Sequence, residues 1–248
     1  MTDGSRQQWL GLLLLGAALA LGLVLSAAIG AGALTRIKLS HQTIEVKGYA
    51  EKLVTSDWAV WTGTFSVRAP ALAEGYRTLS DQRERVLAFL VSLGLAAKDV
   101  AMDPVDVVAE HPRDKDGNET DEVTGYRLTQ GLSVSTGDVS LVDRVSRGAS
   151  ALLAEGIEFE SRAPQYYCTT LDDLKLAMLA QATKNARQRA EKLASGSGGR
   201  IGALASASQG VFQITPVRST EVSGYGVYDT TTIEKAVKAV VTVEYSLR

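Results

Sequence analysis

The chain is predicted to be α+β, with an N-terminal transmembrane helix, a ferredoxin-like βαββαβ core, an additional long helix and C-terminal strands. Three observations carry that reading. No charged side chain occurs between Arg6 and Arg36. Beyond that run, short stretches with apolar residues at period two alternate with stretches at helical spacing. Near the C-terminus an alanine repeat every four residues marks a long helix, followed by further β-prone segments.

The apolar stretch from Trp9 to Leu25 is unbroken and extends, uncharged, to Leu34. A helix rises about 1.5 Å per residue, so about 20 such residues cross a hydrocarbon core of roughly 30 Å. Residues 9–34 are therefore expected to form a single anchor, with residues 1–8 cytoplasmic and residues 41–248 forming one α+β domain beyond it. Sub-units at 41–170 and 171–248 are one way to divide that domain. Arg6 before the span and Arg36, Lys38 and His41 after it leave the positive-inside count nearly even. A cleaved signal peptide is the rival reading: Ala31-Gly32-Ala33 has small residues of the cleavage-site kind, although the apolar run exceeds the usual length. Ala18, Gly22, Ser26 and Gly30 share one helix face, a small-residue stripe suited to helix–helix packing in lipid. The frequency of Gly and Ala in membrane anchors is the alternative explanation.

Thr43 to Thr55 reads as a strand, with Gly48 expected at a bulge or bend. After a Ser56-Asp57 turn, Trp58 to Val67 is a second β-prone run, and the pair is expected to form a long hairpin. Trp58 and Trp61 are an odd number apart, so they face opposite sides of the sheet. Pro70 opens a helix whose stripe is Leu72, Tyr76, Leu79, Val86, Leu90 and Leu93, stopped by Gly94. Val100 to His111 is the next strand. Pro112 to Glu122 is a hairpin loop, and Val123 to Thr136 is its return.

Asp138 is placed to cap a helix striped by Val139, Val142, Val145, Ala149, Leu152 and Leu153, ending at Gly156. Ile157 to Thr169 is a strand in which Pro164 marks an edge or a bulge. Thr170 precedes a helix reaching about Ser195, in which Met178, Ala182, Ala186, Ala190 and Ala194 form one close-packing face. A strand near Arg200 to Ser208 and a short run from Val211 to Ile214 follow. Pro216 to Lys235 is a long polar loop, of the kind that is usually functional, interfacial or disordered. Ala236 to Leu247 is the last strand. The order from the second strand onward, β-α-β-β-α-β, is the split βαβ pattern.

Composition narrows function. With 26 basic and 28 acidic residues interspersed, no basic run resembles a nucleic-acid footprint. Cys168 is the only cysteine, so no intramolecular disulfide forms; an intermolecular bridge is one reading and a small buried hydrophobe the other. No zinc spacing or nucleophile elbow occurs. The Asp114 to Glu119 segment has its glycine at the wrong place for a calcium loop and reads as an Asp-Gly turn. The glycines at 196, 198 and 199 follow a helix and stop it, unlike a phosphate loop. The sequence offers no reason to propose an enzyme, a cofactor or a metal.

Several segments resemble the SIMPL domain family. They are Ile44-Glu45-Val46-Lys47-Gly48-Tyr49-Ala50-Glu51 with Ser56-Asp57-Trp58-Ala59-Val60-Trp61, and Gly125-Tyr126-Arg127-Leu128. To these are added Glu158-Phe159-Glu160-Ser161-Arg162, and Leu171-Asp172-Asp173-Leu174-Lys175 with the alanine-rich helix. Gly210-Val211-Phe212-Gln213-Ile214-Thr215 and the closing Val241-x-Val243-x-Tyr245 strand complete the set. The resemblance spans about residues 41 to 248. It implies an α+β fold in bacterial cell-envelope proteins, periplasmic and assembled as ring- or channel-like homo-oligomers, with links to oxidative-stress tolerance. A mammalian namesake binds a signalling kinase. The family has no accepted catalytic residues. The retained anchor and Cys168 depart from its simpler secreted members.

The expectation is a non-catalytic, single-pass protein of the bacterial inner membrane, its C-terminal domain periplasmic, that self-assembles into a large homo-oligomer. Lipid meets the N-terminal helix, and no nucleic-acid partner is expected. Trp58, Trp61, Tyr166, Tyr167, Tyr225 and Tyr228 are candidate interface residues. A periplasmic ligand- or peptide-binding module, with those tyrosines as contact residues, is the alternative.

Overall fold

The computed structural model describes residues 16, 17, 19–31 and 42–248. Residues 16, 17 and 19–31 are helical. Among the described residues no helix is long and apolar enough to cross a membrane. The rest of the expected 9–34 anchor, and the 1–8 segment, lie outside the described residues. Gly22, Ser26 and Gly30 are on this helix, and a Cβ at Gly22 or Gly30 would meet nothing within 4 Å. Ala18 lies outside the described residues.

Beyond it are ten strands and four helices. In order they are β1 (Thr43–Thr55), β2 (Trp58–Ala69), α1 (Leu72–Ser92), β3 (Val100–Glu110), β4 (Gly125–Thr136), α2 (Val139–Gly148) and α3 (Ala151–Ala154). Then come β5 (Glu158–Ser161), β6 (Gln165–Tyr167), α4 (Leu171–Gly196), β7 (Ile201–Gln209), β8 (Gln213–Pro216), β9 (Val227–Tyr228) and β10 (Glu234–Leu247). The architecture is mixed α+β with two five-stranded sheets. Contacts divide the described residues into two compact units interleaved along the chain, one of residues 51–178 and 211–239, the other of the described residues up to 50 with 179–210 and 240–248. A cut at residue 170 is not where the contacts divide it.

In the first unit the sheet runs β3-β4-β2-β5, with β6 also on β2, and every pairing is antiparallel. Two strands that a helix joins, β2 and β3, are thus separated by the antiparallel β4, which is the split βαβ arrangement expected from the element order. Strand alternation puts Ala59, Trp61, Phe65 and Val67 of β2 on the inner face with Leu128, Leu132 and Val134 of β4. Helix residues Leu79, Val86, Leu90, Val142, Val145 and Leu152 close that core. Trp61 stacks beside Phe159 at 6.0 Å and its indole N–H donates to Ser161 Oγ at 3.1 Å, so a large ring is buried without an orphaned donor.

Helix ends follow the sequence signals. Leu95 N–H donates to Leu90 O and Gly94 N–H to Val91 O, with Gly94 at φ +105°. That is a Schellman stop whose left-handed residue is cheap only for glycine. Asp138 Oδ1 accepts from Leu141 N–H at 2.9 Å, the expected cap.

Five expectations are corrected. The first two β segments are not a hairpin: β1 pairs with β10 in the second sheet, while β2 has β4 on one side and β5 and β6 on the other. With both edges of β2 taken, β1 finds its partner at the far end of the chain. The single strand expected over 157–169 is two, broken around Pro164. The helix after Asp138 is two, α2 and α3, with Leu153 exposed. Leu72 and Tyr76 of α1 are exposed, and it is Gly75 that meets the sheet, close under Leu128. Gly48 is not at a bend.

The reason for Gly48 belongs to the second unit. A Cβ there would stand 2.0 Å from Ala182 O and 2.6 Å from Ala186 Cβ. The glycine lets the α4 backbone rest directly on β1. Ala182, Ala186, Ala190 and Ala194 are all fully buried, as the four-residue repeat required. Val241, Val243 and Tyr245 of β10 are buried in the same unit, and β7 pairs with this half of β10.

Candidate functional site

The long polar loop expected over Pro216 to Lys235 is organised around a buried ion pair. Lys235, at the start of β10, is fully buried, and its Nζ donates to Asp229 Oδ2 at 3.1 Å; the Asp229 side chain is 7% exposed. Lys235 Nζ also donates to the Thr232 carbonyl. Asp229 accepts from the backbone N–H and hydroxyl of both Thr231 and Thr232. Burial opposes its charge, but these donors and the ammonium outweigh that and hold the carboxyl well below its usual range. A desolvated pair is tolerable when further hydrogen bonds support it, and here Asp229 has four from Thr231 and Thr232 and Lys235 one to the Thr232 carbonyl.

Two more clamps hold the loop. Gln213, buried in β8, donates its side-chain amide to Ser223 O at 2.7 Å. Ser223 N–H donates back to Gln213 Oε1 at 3.4 Å. Val227 and Tyr228 form β9, which runs parallel to β8 with Gln213 opposite Val227. The result is a fixed loop whose tip carries Val222 and Tyr225, Tyr225 being fully exposed.

Beside the latch sits the joint between β6 and α4. Asp57 accepts from Thr169 N–H and Oγ1, both at 2.8 Å, and from Thr170 Oγ1. Burial works against its ionised form, and these hydrogen bonds prevail and lower its pKa. Tyr228 OH bridges Cys168, donating to its carbonyl and accepting from its N–H, both at 3.4 Å. The Cys168 thiol is buried against Thr55 O and Ser56 Oγ, each at 3.9 Å. Burial pushes its pKa up, against smaller opposing effects of Ser56 and Lys235. A thiol held protonated is a poor nucleophile and packs as a small hydrophobe.

The six expected interface residues separate into two groups. Trp61 and Tyr166 are buried inside the first unit and are not surface contacts, a correction that follows from strand parity and from Tyr166 lying on the inner face. Tyr166 OH donates to Asp143 Oδ1 at 3.3 Å. Trp58, Tyr225 and Tyr228 are exposed, and Tyr167 is half-buried. Trp58 keeps its indole N–H on Ser135 Oγ at 2.9 Å, leaving its ring outward. Tyr167 and Tyr228 lie ring to ring at 6.5 Å. The structure thus brings Tyr167 and Tyr228 together, while Tyr225 stands alone at the tip.

Sequence reasoning missed Asp229 and Lys235. The signal was the Asp-Thr-Thr-Thr run from Asp229, an Asx-turn composition, followed six residues after the aspartate by a lysine at the inward parity of the final strand.

The solvent face of the first sheet is polar and ion-paired. Glu110 accepts from Arg68 and Arg127, each at 3.1 Å, and Arg68 reaches Glu158 at 3.7 Å. Two grooves lie on it, of about 510 Å³ beside Glu110, His111, Glu119 and Arg127, and about 240 Å³ beside Arg127, Glu158 and Glu160. Neither is lined by the tyrosines. Among the described residues no group of three or more His, Cys, Asp or Glu side chains is placed to hold a metal ion.

Compared with known families, residues 44–245 match the SIMPL model, described as a protein of unknown function (DUF541). The chain belongs to the SIMPL family. A comparison with curated proteins finds no match. Among solved structures, the SIMPL chain is similar to an amidase of the hydantoinase/carbamoylase family from Burkholderia phymatum. The identity is 13%, over 57% of this chain and 37% of that one, at a TM-score of 0.30. It spans little more than a third of the amidase's length. It is also similar to the de novo designed protein Foldit4, at 18% identity over 42% of this chain and 93% of that one, with a TM-score of 0.18. Neither likeness carries an argument about this SIMPL domain's activity.

Proposed function

We propose that this SIMPL protein is a non-catalytic, membrane-anchored component of the bacterial envelope that self-assembles into a homo-oligomer through its extracytoplasmic domain, with a part in stress tolerance. The observation that supports assembly is the latched loop. A buried ion pair, an amide clamp and a two-residue strand fix a segment that would otherwise cost nothing to leave loose. What that order presents is an exposed aromatic, Tyr225, with Trp58 and Tyr228 also outward. Tyrosine and tryptophan supply large contact areas with few rotamers to freeze, which is why they dominate interface energetics.

The membrane part is supported by the uncharged run from Gln7 to Thr35. On this reading the anchor sits in the inner membrane and the domain in the periplasm. Three of the shifted carboxylates fit structural roles: Asp57, Asp138 and Asp229 are lowered by hydrogen bonds that tie backbone together.

Mass measurement of the full chain in detergent tests the reading. A stable species of several copies at micromolar concentration supports it, and a clean monomer sinks it. A ligand-binding module is the second reading, favoured by the two grooves at Arg127. Its signature would be a small anionic or zwitterionic compound that shifts the melting temperature of the monomer and loses that effect in Arg127→Ala.

A further inference from the structure

Every sheet edge but one carries a device against unwanted pairing. β3 has Asp103, Pro104, Asp106 and Glu110, and its register breaks between Met102 and Val105. β5 and β6 are four and three residues long, and β9 is two. β1 carries Glu45, Lys47, Glu51 and Lys52. Charges, proline, bulges and short length are the usual means of blunting an edge.

β7 differs. It is nine residues long, and no charged residue occurs from Ile201 to Val217. It pairs with β10 on one side, and among the described residues no strand pairs with its other side. Ala203 to Gln209 are exposed on both faces, unlike the buried Val241, Val243 and Tyr245 of the neighbouring strand. Its register irregularities fall in its N-terminal half, leaving Ser206 to Gln209 regularly paired with Val241 to Glu244.

We infer that the Ser206–Gln209 edge of β7 pairs antiparallel with the same edge of a second copy, joining two sheets about a two-fold axis. The inference rests on the self-assembly reading and names its contact. The occupant follows from charge and shape. An antiparallel pair of identical strands is closed and self-complementary: residue i of one copy meets residue j of the other and j meets i, with only the residue on the axis facing its own counterpart. A charge at or next to the axis would lie against its own copy, which is unfavourable; β7 has none. Its Ala and Ser side chains let a second sheet continue without overpacking, and the free backbone N–H and C=O groups supply the adhesion.

The test uses the full chain in detergent, in a Cys168→Ser background, with single cysteines placed in turn at Leu204, Ala205, Ser206, Ala207, Ser208 and Gln209. Directly opposed cross-strand Cβ atoms are about 4.5–5.5 Å apart, near disulfide reach. A cysteine two residues from the axis stands four residues, about 13 Å, from its mate and cannot bridge. The expected result is one peak of oxidised dimer between positions 206 and 209, with loss to background two residues away. Ser208→Lys is expected to lower the oligomer's mass by at least a factor of two while circular dichroism stays unchanged. An oligomer that survives Ser208→Lys and gives no such peak, or cross-links equally everywhere, overturns the β7 assignment and leaves self-assembly standing. A wild-type chain that is monomeric overturns both.

Discussion

Replacing Lys235 by methionine removes the ammonium but keeps most of the stem that fills the site. The buried Asp229 carboxylate then loses its counter-ion, 3.1 Å away, and the Thr232 carbonyl loses a donor. Breaking a buried pair from one side costs about 3–5 kcal/mol. The four donations from Thr231 and Thr232 remain, which places the expected loss near the lower end, at about 3 kcal/mol. For a chain of this size each kcal/mol moves the midpoint by about 2–4 °C, so the melting temperature should fall by about 6–12 °C. Adding Asp229→Asn to Lys235→Met removes the stranded charge and should restore about 1–2 kcal/mol, because an amide is far cheaper to bury than a carboxylate. Urea denaturation followed by tryptophan fluorescence in a Trp9→Phe, Trp58→Phe background reports the first unit directly, since the remaining Trp61 is 1% exposed in its core. If Lys235→Met lay within about 1 kcal/mol of wild type, or Asp229→Asn made the single variant worse, the latch would not be what orders the loop.

Four further outcomes follow from the same geometry. Gly48→Ala drives a methyl into the Ala182 carbonyl and the Ala186 backbone, neither of which can rotate away; its cost should reach or exceed the upper end of the roughly 1–3 kcal/mol of overpacking, read by chemical denaturation. Asp229 is held below its ordinary 3.8, so its contribution is complete above about pH 4 and is lost as pH falls through the lowered value. An acid titration of stability should therefore be flatter in Asp229→Asn than in wild type. Tyr225→Ser should leave the melting temperature within about 1 °C, as its ring touches nothing it would miss, yet weaken assembly at least tenfold in sedimentation. Gly22→Leu should reduce cross-linking between copies while membrane extraction behaviour stays the same, and unchanged cross-linking would count against the small-residue face.

Asp57 and Asp229 illustrate why part of the site was hidden. Both look like ordinary turn residues in the chain, and the hydrogen bonds that Asp229 accepts from Thr231 and Thr232 are of the kind composition suggests. What sets each of them in place is not local: Asp57 accepts from Thr169, 112 residues further on, and the loop that carries Asp229 and Lys235 closes back on β8. Trp61 was readable as one of two tryptophans on opposite faces, but the choice of which ring went inward needed the helices α1 and α2 in place.

What followed from the sequence alone was local and periodic. Alternation in β2, β4 and β10, the Gly94 and Gly156 stops, the Asp138 cap and the buried alanine face of α4 each depend on residues a few positions apart, whose spacing is set by the helix or strand repeat. The element order also carried the split βαβ core, because short connections leave few topologies for it. What only the tertiary structure decided was pairing between distant segments. β1 left β2 for β10, Gly48 turned out to be a seat for a helix backbone, and a polar loop became rigid by burying a lysine against an aspartate. Those outcomes depend on which edges remain free and which charges lose water together, quantities that exist only once remote parts of the chain have met.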